Sequence, residues 1–135
     1  MGVIYNAFDV VGRILIAVMF LQSGIGKLGN YAGTSHYMAS KGVSSVLLPL
    51  VIFVEVAGSL AIILGWKTRI FALALAGFCI LAALLFHWNF ADQTQSINFM
   101  KNISIAGGFL VIFARGAGAV SLDGRQGRSR RRARP

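Results

Sequence analysis

Four apolar segments of near-transmembrane length divide the chain, at about 8–28, 46–65, 70–88 and 97–114. About twenty helical residues, rising 1.5 Å each, cross a ~30 Å hydrocarbon core. Inside lipid every backbone N–H and C=O has to be satisfied within its own segment, so each segment is expected to be a helix. The expected fold is therefore all-α, an integral membrane bundle of four transmembrane helices over 1–122. Composition leaves little alternative: 56 % of the 135 residues are hydrophobic and only 13 % are charged, where soluble domains carry about 25 %.

The aromatic residues with polar tips mark the ends of these spans. Tyr5, Tyr31, Tyr37, Trp66 and Trp88 are all the Tyr and Trp present, and each falls at or beyond an expected helix end. Such residues gather at the two membrane–water interfaces. No basic stretch precedes the first apolar run and no small-residue cleavage site follows it, so that segment is read as retained.

The basic residues give a direction. Lys67, Arg69, Arg115 and six tail arginines (Arg125, Arg128, Arg130, Arg131, Arg132 and Arg134) fall on one side, and Lys27, Lys41 and Lys101 on the other. The arginine-rich side, with both termini, is expected in the cytoplasm. The segment 123–135 reads as a basic, disordered tail. Such a tail suits anionic lipid, at roughly 1 kcal/mol per basic residue near the surface. Charge alone, without a matching fold, does not make a nucleic-acid-binding protein, and no nucleic-acid partner is expected. Between the first two spans, residues 34–41 are expected to form a short interfacial helix.

Charged side chains inside a span cost a few kcal/mol and need a reason. Arg13, Lys27, Glu55, His87 and Lys101 fall within the spans, with the neutral polar Gln22 and Asn102. Glu55 stands eleven residues before Trp66, about 16 Å along the helix and so near the membrane centre. Lys27, His87, Lys101 and Asn102 fall toward the opposite, outer ends of their helices. Four stripes at helical spacing suggest the inward faces. They are Arg13–Ala17–Phe20–Gly24–Lys27, Ile52–Glu55–Ser59–Ile62, Ala76–Ile80–Ala83–His87 and Lys101–Ile105–Gly108–Ile112–Arg115. If all four face inward, Lys27, Glu55, His87, Lys101, Asn102 and Gln22 make a candidate pocket open to the outer side. The plainer reading is structural: Glu55 pairs with Lys27 or Lys101 and ties helices together. Arg13 has the stronger structural case, because a long side chain near the inner surface can snorkel.

Other chemistries are missing from the sequence. It has no Walker loop, no GxGxxG after a strand, no GxSxG and no HExxH. The single cysteine, Cys79, excludes an intramolecular disulfide, and no cysteine–histidine spacing suggests a metal. His36 and His87 are a poor haem pair, since His36 lies in a loop.

Taken in order, these residues resemble the DoxX family of small four-helix membrane proteins, related to DoxD, a thiosulfate:quinone oxidoreductase subunit. The marks are Gly12-Arg13, Phe20, Ser23-Gly24, Lys27, Glu55 with Gly58, Gly65 with Thr68-Arg69, and Phe86-His87. Phe99-Met-Lys-Asn102, Ala106-Gly-Gly108 and Gly116-Ala-Gly-Ala-Val-Ser-Leu-Asp123 complete the pattern, so the resemblance runs from about Val10 to Asp123. One departure is Ser44, after Gly42-Val43, where such chains often carry proline. The resemblance implies a multi-pass protein of the bacterial inner membrane, linked to quinone or sulfur redox chemistry and to soluble redox enzymes brought to the membrane. It supplies no catalytic residues. Three functions stay open: a redox-associated subunit binding a quinone or small anion, a non-catalytic scaffold, and a small-solute or proton carrier.

Overall fold

A computed structural model describes residues 2–133. Six helices follow one another: α1 (Gly2–Gly29), α2 (Tyr31–Ser40), α3 (Leu48–Leu64), α4 (Thr68–Phe86), α5 (Gln93–Arg115) and α6 (Leu122–Arg132), with one 3-10 turn, Ser45–Leu47, leading into α3. The long helices α1, α3, α4 and α5 form the bundle, and each is long and apolar enough to cross a membrane, α3 together with the 3-10 turn that leads into it (Ser45–Leu64).

Their boundaries have local causes. Pro49 sits in the first turn of α3, where its missing N–H removes nothing from the helix ladder. Gly65 ends α3 at φ 69°, the left-handed conformation that closes many helices. The Asp92 side chain accepts from Gln95 N–H and starts α5 four residues before the apolar run does. This cap explains why α5 begins at Gln93 rather than near 97. The short interfacial helix forms as α2, starting at Tyr31.

The core is thin. Ala17 and Phe20 of α1, Ile62 of α3, Ala72, Leu75, Ala76 and Cys79 of α4, and Ala106 and Phe109 of α5 pack together. Phe20 meets Phe109 edge-on, with ring centroids 5.5 Å apart. Small residues let the backbones approach: a Cβ on Gly24 would lie 2.6 Å from Val56 Cγ2, and one on Gly108 would lie 2.8 Å from Ile16 Cδ1. The most apolar stretches of the four long helices bury only 11–39 % of their residues within the protein. The remaining apolar surface faces lipid, not a larger protein core.

Two of the four expected stripes are buried as read. Helix α1 buries Arg13, Ala17, Phe20 and Gly24, and α3 buries Ile52, Glu55, Ser59 and Ile62. The α5 stripe holds in its middle, where Ile105 and Ile112 pack against the core beside the buried Ala106 and Phe109, but its ends Lys101 and Arg115 are exposed. In α4 the buried line is Ala72–Ala76–Cys79–Ala83, and Ile80 is 37 % exposed.

The tail also differs from expectation. Residues 122–132 are helical, not disordered. Ser121 caps α6 by accepting from Gly124 N–H, and Asp123 ties its first turn to the rest of the chain. Arg134 lies outside the described residues.

Candidate functional site

At one end of the bundle, α1 and α3 approach at Gly24 and bring Lys27 against Glu55. Lys27 Nζ lies 2.8 Å from Glu55 Oε2 and 3.0 Å from Oε1. Ser23, one turn before Lys27 on α1, joins them. Its Oγ accepts from Lys27 Nζ at 2.6 Å and donates to Glu55 Oε1 at 3.0 Å. The Glu55 side chain is 3 % exposed and that of Lys27 is 24 % exposed, so the pair runs from the interior toward a polar rim. Glu55 Oε2 is buried and receives Coulomb attraction from Lys27, but no donor meets it in hydrogen-bond geometry.

This group lines a cavity of about 280 Å³. Phe20, Phe78 and Phe86 supply apolar wall, and His87 and Asn102 reach it from α4 and α5. Thr34, Tyr37 and Met38 of α2 border it as well. Helix α2 is held there by packing: Met38 is buried with Leu48 and Ile52, and Tyr37 stacks on Phe86 with centroids 5.7 Å apart. His87 Nδ1 lies 2.7 Å from Gln95 Oε1. With that oxygen as acceptor, a neutral His87 carries its proton on Nδ1 and keeps a lone pair on Nε2. Asn102 donates through Nδ2 to Asn98 O at 3.0 Å.

Lys27, Glu55, His87 and Asn102 thus meet at one cavity. Lys101 and Gln22 do not. Lys101 is exposed and borders a separate surface groove with Ser96 and Ser104, because the inward face of α5 runs through its neighbour Asn102. Gln22 is exposed on the lipid side of α1, between the inward positions Phe20 and Gly24. Ser23, Thr34 and Tyr37 belong to the site but were not among the candidates from sequence. Ser23 had a signal, since it stands four residues before Lys27 and so one turn away on the same face.

Arg13 serves the other end. It is 4 % exposed, and its guanidinium donates to three carbonyls. Nη1 reaches Ile62 O at 3.0 Å and Ile63 O at 2.9 Å, and Nη2 reaches Val120 O at 2.6 Å. A cation on the last carbonyls of α3 complements the negative end of that helix. Asp123 does the converse for α4, accepting from Lys67 N–H and Thr68 N–H, both at 2.9 Å, and from Thr68 Oγ1 at 2.7 Å. Partial burial raises the Asp123 carboxyl, but these hydrogen bonds and the Arg13 charge outweigh it and hold the group below its ordinary range. Among the described residues, no three His, Cys, Asp or Glu side chains gather as a metal site requires.

Comparison with known proteins agrees with the membrane architecture. The DoxX family model matches residues 8–88. The inner membrane protein YqjF of Escherichia coli K12 is 50 % identical over 113 residues, covering 84 % of this chain and 87 % of the relative. The inner membrane protein YphA of the same organism is 36 % identical over 122 residues, covering 85 % of this chain and 87 % of the relative. No solved structure matches the chain. With a family match over more than half its length and two relatives at 50 % and 36 % identity that cover most of both chains, this chain belongs to the DoxX family.

Proposed function

We propose that the chain is a membrane subunit of a quinone-linked redox system, with the Lys27–Glu55 cavity receiving the quinone headgroup. The observation that carries this reading is the placement of a buried carboxylate, an ammonium and a hydroxyl in one apolar-walled cavity, with His87 and Asn102 at its edge. Ionisable groups inside a membrane bundle are costly and mark ligand or proton sites more often than surface charges do. A volume near 280 Å³ falls at the small end of ligand pockets and suits a single ring rather than a large cofactor.

The residues fit such a headgroup. Lys27 Nζ and the Asn102 amide are donors for ring oxygens, and the three Phe side chains offer flat apolar contact. Glu55 and His87 hold and pass protons at the cavity wall. A bound quinone would supply two-electron, two-proton redox chemistry, with electrons delivered by a partner redox enzyme. Lys27 also suits a small sulfur-containing anion, though its charge is already offset by Glu55. The arginine-rich end, with both termini, is placed on the cytoplasmic side in this reading, following the asymmetry of Lys and Arg.

The test is binding of a tail-less benzoquinone to the purified protein in detergent, by calorimetry. Saturable binding that weakens at least about tenfold in Glu55→Gln is expected. Absence of binding, together with no quinone-dependent activity in native membranes, would sink the reading.

A second reading has its own support in α6. Its Arg125, Arg128, Arg130, Arg131 and Arg132 stand on a helix fixed to the bundle by Asp123. An ordered basic helix suits a scaffold that recruits acidic partner proteins. Deleting residues 124–135 should abolish partner recovery after crosslinking; unchanged recovery would count against it.

A further inference from the structure

The cavity does not end at its polar wall. A second, apolar groove of about 340 Å³ runs between α3 and α4. It shares Met38, Val51, Phe78, Ala82 and Phe86 with the polar cavity, so the two meet along one seam. From Phe86 the groove follows α4 back to Leu73, thirteen residues or about 20 Å. The groove is apolar along its whole length, running on α4 from the helix end at Phe86 past the middle at Gly77 to Leu73, and on the α3 side from Leu47 to Val54. Leu50, Leu73, Leu81 and Leu85 on its walls are 48–58 % exposed, so it opens sideways to lipid.

The groove owes its depth to small side chains on α4. Ala74 and Gly77 form its floor, and a Cβ built on Gly77 meets nothing within 4 Å. Close helix contact therefore does not explain this glycine, unlike Gly24 or Gly58, whose Cβ atoms would press on Val56 and Leu75. Gly77 also weakens α4 by about 1 kcal/mol relative to alanine, with no packing gain in return.

We propose that the site takes a long-tailed quinone sideways from the bilayer. Its headgroup sits against Lys27, Glu55 and Ser23, and its isoprenoid tail lies in the α3–α4 groove over Gly77. This rests on the headgroup reading above and adds a tail site, an entry route and a residue that sets tail affinity. A polar cavity joined side by side to an apolar groove that opens to lipid matches an amphiphile with a compact polar head and a long apolar tail. Helix α2 borders the polar cavity through Thr34, Tyr37 and Met38, which leaves the open side of the α3–α4 seam as the way in from lipid.

The experiment compares two quinones with the same headgroup, one without a tail and one with a ten-carbon tail. Binding is measured on the full chain in nanodiscs. In Gly77→Leu the added side chain fills the groove, and the tailed quinone should bind about tenfold more weakly while the tail-less one is unchanged. Ala74→Leu should act in the same direction, and thermal unfolding confirms that each variant folds. If the wild type binds the tail-less quinone but neither variant affects the tailed one, the tail site is wrong and the headgroup reading survives. The tail site is equally wrong if both quinones weaken together, or if added phospholipid displaces the tailed quinone as effectively as free tailed quinone does. If the wild type binds neither, both readings fall.

Discussion

Lys27 Nζ lies 2.8 Å from Glu55 Oε2, so the single carboxylate of α3 is neutralised by the last turns of α1. Ser23 completes a three-membered network by bonding both. The network fixes the closest approach of the two helices, where Gly24 leaves no room for a side chain. It also defines the polar wall of the cavity.

Removing one member of a buried pair strands the other charge, at a cost of about 3 kcal/mol or more. Lys27 retains a quarter of its side-chain exposure and can turn to the interface, which lowers the cost of losing Glu55. Lys27→Met should therefore destabilise the protein more than Glu55→Gln does. The double variant should recover at least about 1 kcal/mol relative to the sum of the two. Unfolding in mild detergent measures all three, and simple additivity would show that the pair is not coupled.

Asp123 gives the opposite end a pH dependence. Its carboxyl is held below its ordinary value, so the folded state binds the proton less well than the unfolded chain does. The stabilisation is present in full above the unfolded value near 4, and it fades as pH falls through the lowered folded value. Wild type should lose thermal stability below about pH 4, and Asp123→Ala should lose less over the same interval. At neutral pH the variant should be weaker by about 1–2 kcal/mol, the usual worth of a carboxylate cap. Identical acid limbs for the two proteins would remove Asp123 from the account.

The bundle was legible because lipid imposes length and hydropathy on each span, and no other arrangement satisfies the backbone. The α1 and α3 stripes were legible because a costly charge, Arg13 or Glu55, had to face inward. On α5 the same rule misled. The rule points to Lys101 as well as Asn102, but a lysine near a helix end can reach the interface along the outside. Its neighbour Asn102 faces the cavity instead. The order of α6 was hidden in the same way. Composition reported arginine and glycine, while the deciding contacts join Ser121 and Asp123 to residues far away in sequence. The part of the cavity bordered by α2 was also invisible, since Thr34 and Tyr37 lie in a segment with no charged group inside it.

Arg13 should not tolerate lysine. Its fork donates to Ile62 O, Ile63 O and Val120 O at once, and an ammonium on a single stem cannot reproduce that spread. Hydrogen bonds to charged groups are worth about 1.5–3 kcal/mol each, and Arg13→Lys should lose at least one of them. The expected result is a lower unfolding temperature with quinone affinity unchanged, because Arg13 lies at the far end from the Lys27 cavity. Reduced affinity at full stability would instead place Arg13 in the site.

Gly65 carries the sharpest steric prediction. It turns the chain between α3 and α4 at φ 69°, a region that other residues enter only with strain. A Cβ there would also overlap the Ser121 side chain and approach Arg13 Nη1 to 2.7 Å. Both contacts lie in the cluster that joins Arg13, the turn and the start of α6, and Gly65 O accepts from Asp123 N–H at 2.9 Å within it. Gly65→Ala should thus cost more than the 1–3 kcal/mol of backbone strain alone. Protease accessibility of residues 116–133 should rise with it, since the added methyl pushes Ser121 and the first turn of α6 away. Gly77→Ala is the internal control: its added Cβ meets nothing, and the same exchange there should raise stability by a few tenths to about 1 kcal/mol. Equal effects at the two glycines would show that the Gly65 turn is not under steric constraint.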